Sequence, residues 1–286
     1  MGYGAFTASS YASYSTANSK VYNTITGRID SGQVWKAVDI DPLLDPKKFK
    51  IRECVNSDEH PNTIPIILGL DVTGSMGRGC QETAEALGVI MTNLYEKFKD
   101  IEFCIMGIGD LAYDDAPIQM SQYESDVRIA EALDKLYMEH GGGGNGYESY
   151  TAAWYMGLKR TKLDCFDKQN RKGIIITMGD EPLNPYLPKK DLNKAINGSE
   201  QANIETNKLF NEASEKFDIF HIAINDDSTR YKSYKAQVDK SFKQLLKERF
   251  KVSTINDLAK TIEECITASV QGNPDVKISE NGEISW

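Results

Sequence analysis

The stretch Ile64-Pro65-Ile66-Ile67-Leu68-Gly69-Leu70-Asp71, running directly into Val72-Thr73-Gly74-Ser75-Met76-Gly77, decides how the rest of the chain reads. An uncharged apolar run ended by an acid and a glycine-bearing turn has the pattern of a short strand buried on both faces. A helix from Cys80 to Lys99 follows, with Ala84, Leu87, Met91, Leu94 and Phe98 in one apolar stripe. Ile101–Ile108 reads as a second strand. Ala116–Tyr123, after a loop rich in Asp, reads as a third in hairpin with it. A helix then opens at Ser125 or Asp126, either a good N-cap, and carries Ile129, Leu133 and Leu136 on one side. After Gly141–Gly144 comes a helix over Glu148–Arg160 that turns Tyr150, Trp154 and Leu158 inward. Gly173–Thr177 and Phe217–Ile224 read as further buried strands. Helices are expected at Lys189–Ile196, Ile204–Lys216, Tyr234–Arg249 and Asn256–Ser269. Strands alternating with helices build a mostly parallel sheet covered on both faces.

Outward from this unit the chain changes character. Residues 1–27 are nearly all Gly, Ala, Ser, Thr, Tyr and Asn, too little apolar area to offset backbone ordering, so they read as a flexible arm in which Tyr3, Tyr11, Tyr14 and Tyr22 offer docking points. Residues 28–61 read as a lead-in with strands near Gln33–Ile40 and Lys48–Cys54, residues 62–271 as the α/β domain, and 272–286 as a loose polar tail with room for one last strand. The full chain has 286 residues, 40% hydrophobic and 26% charged, enough for a core without disulfides. A formal net charge of -9 argues against a nucleic-acid partner. No apolar run approaches the ~20 residues of a spanning helix, and no signal sequence opens the chain. A cytoplasmic protein without a membrane partner is therefore expected. The five cysteines, Cys54, Cys80, Cys104, Cys165 and Cys265, are scattered and form no CxxC, so they read as reduced thiols.

In open parallel sheets the site lies beyond the carboxyl ends of the strands, where strand order reverses. Three stretches fall there: Asp71–Gly77, Gly141–Ser149, and Met178-Gly179-Asp180-Glu181. Asp71, Thr73 and Ser75 alternate on one turn, so a carboxylate and two hydroxyls can converge, and Glu148 and Asp180 add carboxylates from neighbouring loops. Hard oxygen donors without His or Cys suit Mg²⁺, Mn²⁺ or Ca²⁺ and argue against zinc. Neutral hydroxyl ligands leave the ion much of its charge, to be met by an anionic group. Taken alone, the Asp71 turn reads equally well as a cap for the helix after it; three stretches in order favour the metal.

Together, DVTGSMG after an apolar strand, GGGGNGYES opening a helix, and ITMGDE after a second apolar strand resemble a von Willebrand factor A (vWA) domain with its metal-ion-dependent adhesion site, over Asn62–Gln271. The resemblance implies a Rossmann-like α/β fold, with a mostly parallel central sheet, one antiparallel edge strand and helices on both faces. It implies one cation, Mg²⁺ (or Mn²⁺ or Ca²⁺), held by Asp71, Thr73, Ser75, Glu148 and Asp180. A Glu or Asp from a protein partner completes the shell. Thr73 stands where the family has Ser and keeps the hydroxyl. The middle ligand is carried to Glu148, with Ser149 and Thr151 as fallbacks; Asn145 stands where the integrin β-type variant has Asp, and Gly179-Asp180 reverses the usual Asp-Gly order. Asp110, directly after the second strand, is a secondary candidate. The implied protein is a non-enzymatic interaction module of a bacterial cytoplasmic stress, defence or assembly complex, homo- or hetero-oligomeric. Two other readings stand beside it. In a haloacid dehalogenase-like phosphotransferase Asp71 would be the nucleophile, but no obvious phosphate-binding Lys is placed just before the second acidic motif. In a structural assembly subunit the Tyr/Ser arm and lead-in strands would make the contacts. Gly69–Gly79 lacks the Gly-Lys-Ser/Thr of a phosphate loop, and His60, His140 and His221 form no triad or HExxH.

Overall fold

The computed structural model describes residues 4–18, 22–23, 28–29, 37–76, 90–139 and 144–272, with backbone alone at 22–23, 28–29 and 75. In chain order come α1 (Ala8–Ala17), the paired strands β1 (Tyr22–Asn23) and β2 (Arg28–Ile29), β3 (Arg52–Cys54) and β4 (Ile64–Asp71). A helix α2 occupies 90–97. Then follow β5 (Ile101–Ile108), β6 (Ile118–Met120), α3 (Arg128–Asp134), α4 (Thr151–Arg160), β7 (Thr161–Leu163), α5 (Asp164–Asp167) and β8 (Gly173–Gly179). The remainder comprises β9 (Tyr186–Leu187), α6 (Lys189–Ile196), β10 (Ile204–Glu205), α7 (Thr206–Ser214), β11 (Phe217–Ile224), α8 (Tyr231–Leu246), β12 (Phe250–Ser253) and α9 (Leu258–Val270).

Six strands form the central sheet in the order β12-β11-β8-β4-β5-β6. All neighbours run parallel except β5 and β6, which pair antiparallel with Met106 opposite Met120. This is the expected mostly parallel sheet with one antiparallel edge. Strand order reverses at β4, with β5 on one side and β8 on the other. Leu70 is level with Met178, so Asp71 and Gly179-Asp180 leave the sheet side by side at its carboxyl edge, the crevice where such folds bind ligands.

Alternate residues of the strands feed two cores. Ile66, Leu68, Leu70, Ile105, Ile174 and Ile222 pack under α1, α2, α3 and α9, whereas Ile67, Met106, Ile175, Ile219 and Ala223 meet α4, α7 and α8. Because both faces are covered, the central strands are continuous apolar runs rather than alternating ones. Each large side chain so buried contributes about 1.5–3 kcal/mol, which fixes the sheet as a rigid platform for the loops above it.

The structure departs from the sequence reading at several elements. Within the expected flexible arm, Ala8–Ala17 is a helix. Thr7 and Ser10 form a reciprocal capping box, with both bonds at 3.0 Å. Phe6 and Tyr11 are buried in the first core, and Phe6 stacks on Tyr95 at 6.3 Å. Of the strand expected at Gln33–Ile40, residues 33–36 lie outside the described residues; Ala37 makes an isolated bridge to Tyr137 and 38–40 are not strand. Only Arg52–Cys54 of the second lead-in strand forms, and it pairs with β7, apart from the central sheet. Of the helix expected at Cys80–Lys99, residues 80–89 lie outside the described residues, 90–97 are helical and 98–99 are not, and any strand after Gly272 falls outside the described residues. β12 is an element the sequence reading did not anticipate. Cys54, Cys104, Cys165 and Cys265 are free and buried, while Cys80, like His140, lies outside the described residues. Among the described residues no helix is long and apolar enough to cross a membrane.

Candidate functional site

Asp71 ends β4 at the crevice and is 1% exposed. Its Oδ1 accepts from the Thr73 N–H at 3.0 Å and from the Thr73 hydroxyl at 2.5 Å, which curls the Asp71–Met76 turn back on its own carboxylate. Oδ2 accepts from the Tyr150 hydroxyl at 2.6 Å. The same hydroxyl receives the Glu181 N–H at 3.3 Å, so one phenol ties the β4 turn, the loop after β8 and the start of α4 together. Gly179 makes room for it: a Cβ there would stand 2.0 Å from the Tyr150 hydroxyl oxygen. The reversed Gly-Asp order thus has a packing reason, since a side chain at 179 would evict Tyr150. Ser75 sits in a 3-10 turn, Gly74–Met76, with its side chain outside the described residues.

Glu148 is brought in by an isolated parallel bridge to Leu183, with its N–H on Pro182 O at 3.2 Å. The side chain is 6% exposed and its Oε2 is buried without a hydrogen-bond partner. Ser149 and Thr151 are engaged in holding this loop. Ser149 Oγ accepts from Leu111 N at 3.1 Å, and Thr151 meets Asn184 twice, through its N–H at 3.2 Å and its hydroxyl at 2.6 Å. Asp180 is wholly buried, and its Oδ2 accepts the Arg230 N–H at 2.6 Å, at the mouth of α8. Asp110 lies on the flanking turn. Its Oδ1 accepts from Ala112 N at 2.7 Å, while Oδ2 is buried without a hydrogen-bond partner.

Electrostatics show that these carboxyls share one neighbourhood. Burial pushes Asp71 up to about 7, and the charge of Asp180 adds to it against the pull of the Thr73 and Tyr150 hydrogen bonds. Glu148 is pushed up to about 11, first by burial and then by Asp71, Asp114, Asp110 and Glu181. Asp114 rises to about 7, again chiefly by burial. Glu181 is raised by burial and Asp180, with Arg230 pulling back. Behind Tyr150, His221 is wholly buried with Nδ1 2.9 Å from the Thr177 hydroxyl and its ring stacked on Phe242 at 3.7 Å; burial holds it well below its usual pKa, hence neutral.

Asp71, Thr73, Glu148 and Asp180 are therefore brought to one crevice. Among the described residues, however, no group of three or more His, Cys, Asp and Glu forms a ready-made cation cage. The donor chemistry fits a hard divalent cation nonetheless: all-oxygen donors, with the buried Oε2 atoms of Glu148 and Glu181 lacking hydrogen-bond partners. Sequence reasoning missed Tyr150 as more than a core residue; its one trace is the glycine at 179. It left Glu181 without a role and had no signal for Arg230, which arrives from a distant helix start.

No family model matches the chain, and no curated protein does. Among solved structures, the pilus adhesin SpaC of Lactobacillus rhamnosus GG, in its open conformation, superposes with a TM-score of 0.50 at 10% identity, covering 76% of this chain. The vWF domain of the type V pili tip protein Mfa5 from Porphyromonas gingivalis superposes with a TM-score of 0.45 at 12% identity, over 78% of this chain and 98% of that one. This chain spans 31% of the length of SpaC. At this identity the likeness to SpaC shows the fold alone. With the strand order and its antiparallel edge, what this chain shares with SpaC is the α/β arrangement of a mostly parallel sheet covered by helices.

Proposed function

We propose that this domain is a metal-dependent protein-interaction module. Asp71, Thr73, Ser75, Glu148 and Asp180 hold one divalent cation, Mg²⁺ or Mn²⁺, some of them through water, and a Glu or Asp of a partner protein completes the shell. The observation that carries the reading is the buried, unpartnered Oε2 of Glu148 set among the Asp71, Asp110 and Glu181 carboxyls. Buried carboxylates are costly unless paired with a cation, and a hard ion supplies that pairing. When bound, the ion is a Lewis-acidic point charge with a coordination position for an anionic ligand. The chain's own residues do the rest: Thr73 and Tyr150 orient Asp71, Asn184 and Leu183 seat the Glu148 loop, and the Arg230 N–H orients Asp180.

Calorimetric titration with Mg²⁺ and Mn²⁺ tests the proposal. One site is expected in the native chain and none in Asp71→Ala; heat-silent titration of a folded native chain would overturn it.

A further inference from the structure

The charge around Asp71 raises a difficulty for an acidic partner. Asp71, Glu148, Asp180 and Glu181 are buried together, and Asp110 and Asp114 stand on the flanking turn. A single divalent ion does not neutralise so many carboxylates, and like charges meeting across an interface oppose binding. An incoming Glu or Asp therefore needs a second positive group at the mouth of the crevice.

Arg230 is placed to supply it. Its backbone N–H donates to Asp180 Oδ2 at 2.6 Å, which anchors the residue beside the expected ligand. The Asx turn before it, in which Asp226 Oδ1 accepts the Ser228 N–H at 3.0 Å and its hydroxyl at 2.9 Å, sets the approach of the chain to α8. Arg230 Nη1 lies 3.5 Å from Glu181 Oε1, and the side chain is 59% exposed. A guanidinium carries five N–H donors in a planar fork that matches a carboxylate, and the Glu181 contact engages one nitrogen of that fork.

We propose that Arg230 is the specificity-determining residue for the partner, gripping the same Glu or Asp carboxylate that caps the cation. This rests on the metal-dependent reading above and adds to it the group that makes an anionic partner acceptable to an acidic crevice. Glu181 is a positioning residue in this arrangement, tethering the guanidinium over the site.

The test uses the full chain and two probes, N-acetylglutamate amide and its uncharged counterpart N-acetylglutamine amide, titrated with and without saturating Mg²⁺ and followed by amide NMR shifts. Mg²⁺ affinity is measured separately by calorimetry. In the native chain the glutamate probe is expected to bind only with Mg²⁺ present, and the glutamine probe more weakly. Arg230→Gln is expected to weaken glutamate binding about tenfold, the scale of one charge-assisted hydrogen bond, with Arg230→Lys between the two. Mg²⁺ affinity in Arg230→Gln stays the same or rises, because a like charge has been removed from beside the ion. Arg230 donates to Asp180 through its backbone, so both variants keep that bond. If Mg²⁺ binds but the glutamate probe binds Arg230→Gln as tightly as native, or does not bind the native chain, the Arg230 assignment is overturned and the metal site stands. If Mg²⁺ does not bind at all, the metal reading fails and this inference falls with it.

Discussion

Tyr150 and Gly179 show how two side-chain choices, far apart in sequence, settle one geometry. The phenol is buried where a Cβ at 179 would collide with it and donates to Asp71. Tyr150→Phe leaves Asp71 Oδ2 without that donor and is expected to cost about 1–3 kcal/mol by denaturant unfolding. Gly179→Ala is expected to cost about 1–3 kcal/mol by overpacking. The double variant should lose less than the sum, since the hydroxyl is part of the clash; strict additivity would mean the two do not touch. Asp71 also makes stability depend on pH. Its folded pKa, about 7, lies above the ordinary 3.8, so the folded state binds the proton more tightly than the unfolded one. Metal-free protein should therefore lose stability as pH rises from about 4 through 7 and regain it on acidification. Added Mg²⁺ should displace the proton and flatten the slope. Thermal unfolding between pH 5 and 8, with Mg²⁺ or EDTA, reads both; a metal-free slope of opposite sign contradicts the assignment.

Helix α1 makes the contrasting case, an element whose stability comes from what it touches. Phe6 and Tyr11 reach the core beside Tyr95, and the Tyr14 hydroxyl donates to Asp134 on α3. Phe6→Ala is expected to destabilise the whole domain by about 3–5 kcal/mol; an unchanged unfolding midpoint would show that the segment is an independent arm. Composition pointed to disorder because two aromatic rings carry the docking and their receiving surface is built from residues about ninety positions later. The strands β4, β5, β8 and β11 were legible for the opposite reason: burial on both faces writes itself as an unbroken apolar run. β12 was not, since four residues that follow a long helix and a 3-10 turn carry no period of their own. Helices α4, α6, α7, α8 and α9 were readable to within a turn or so from their apolar stripes. The position of Asp71, Thr73 and Asp180 at the carboxyl edge was legible because strand ends in a parallel sheet converge by topology, whereas Glu148 reaches that edge through its bridge to Leu183. Tyr150 and Arg230 were not, because their roles follow from three-dimensional contacts that no local spacing records.

At the scale of the molecule, one sheet with a strand-order reversal at β4 places four side chains from three loops at a single carboxyl edge. The rigid, doubly covered platform holds these carboxyl groups together in a buried crevice, and a bound cation would take the place of the protons that burial favours there. The most direct measurement is anomalous diffraction from crystals grown with Mn²⁺. The account predicts one strong peak among the oxygens of Asp71, Thr73, Glu148 and Asp180, absent in Asp71→Ala crystals grown the same way. A structure at full Mn²⁺ with no peak in that crevice, or with its peak elsewhere, would contradict it.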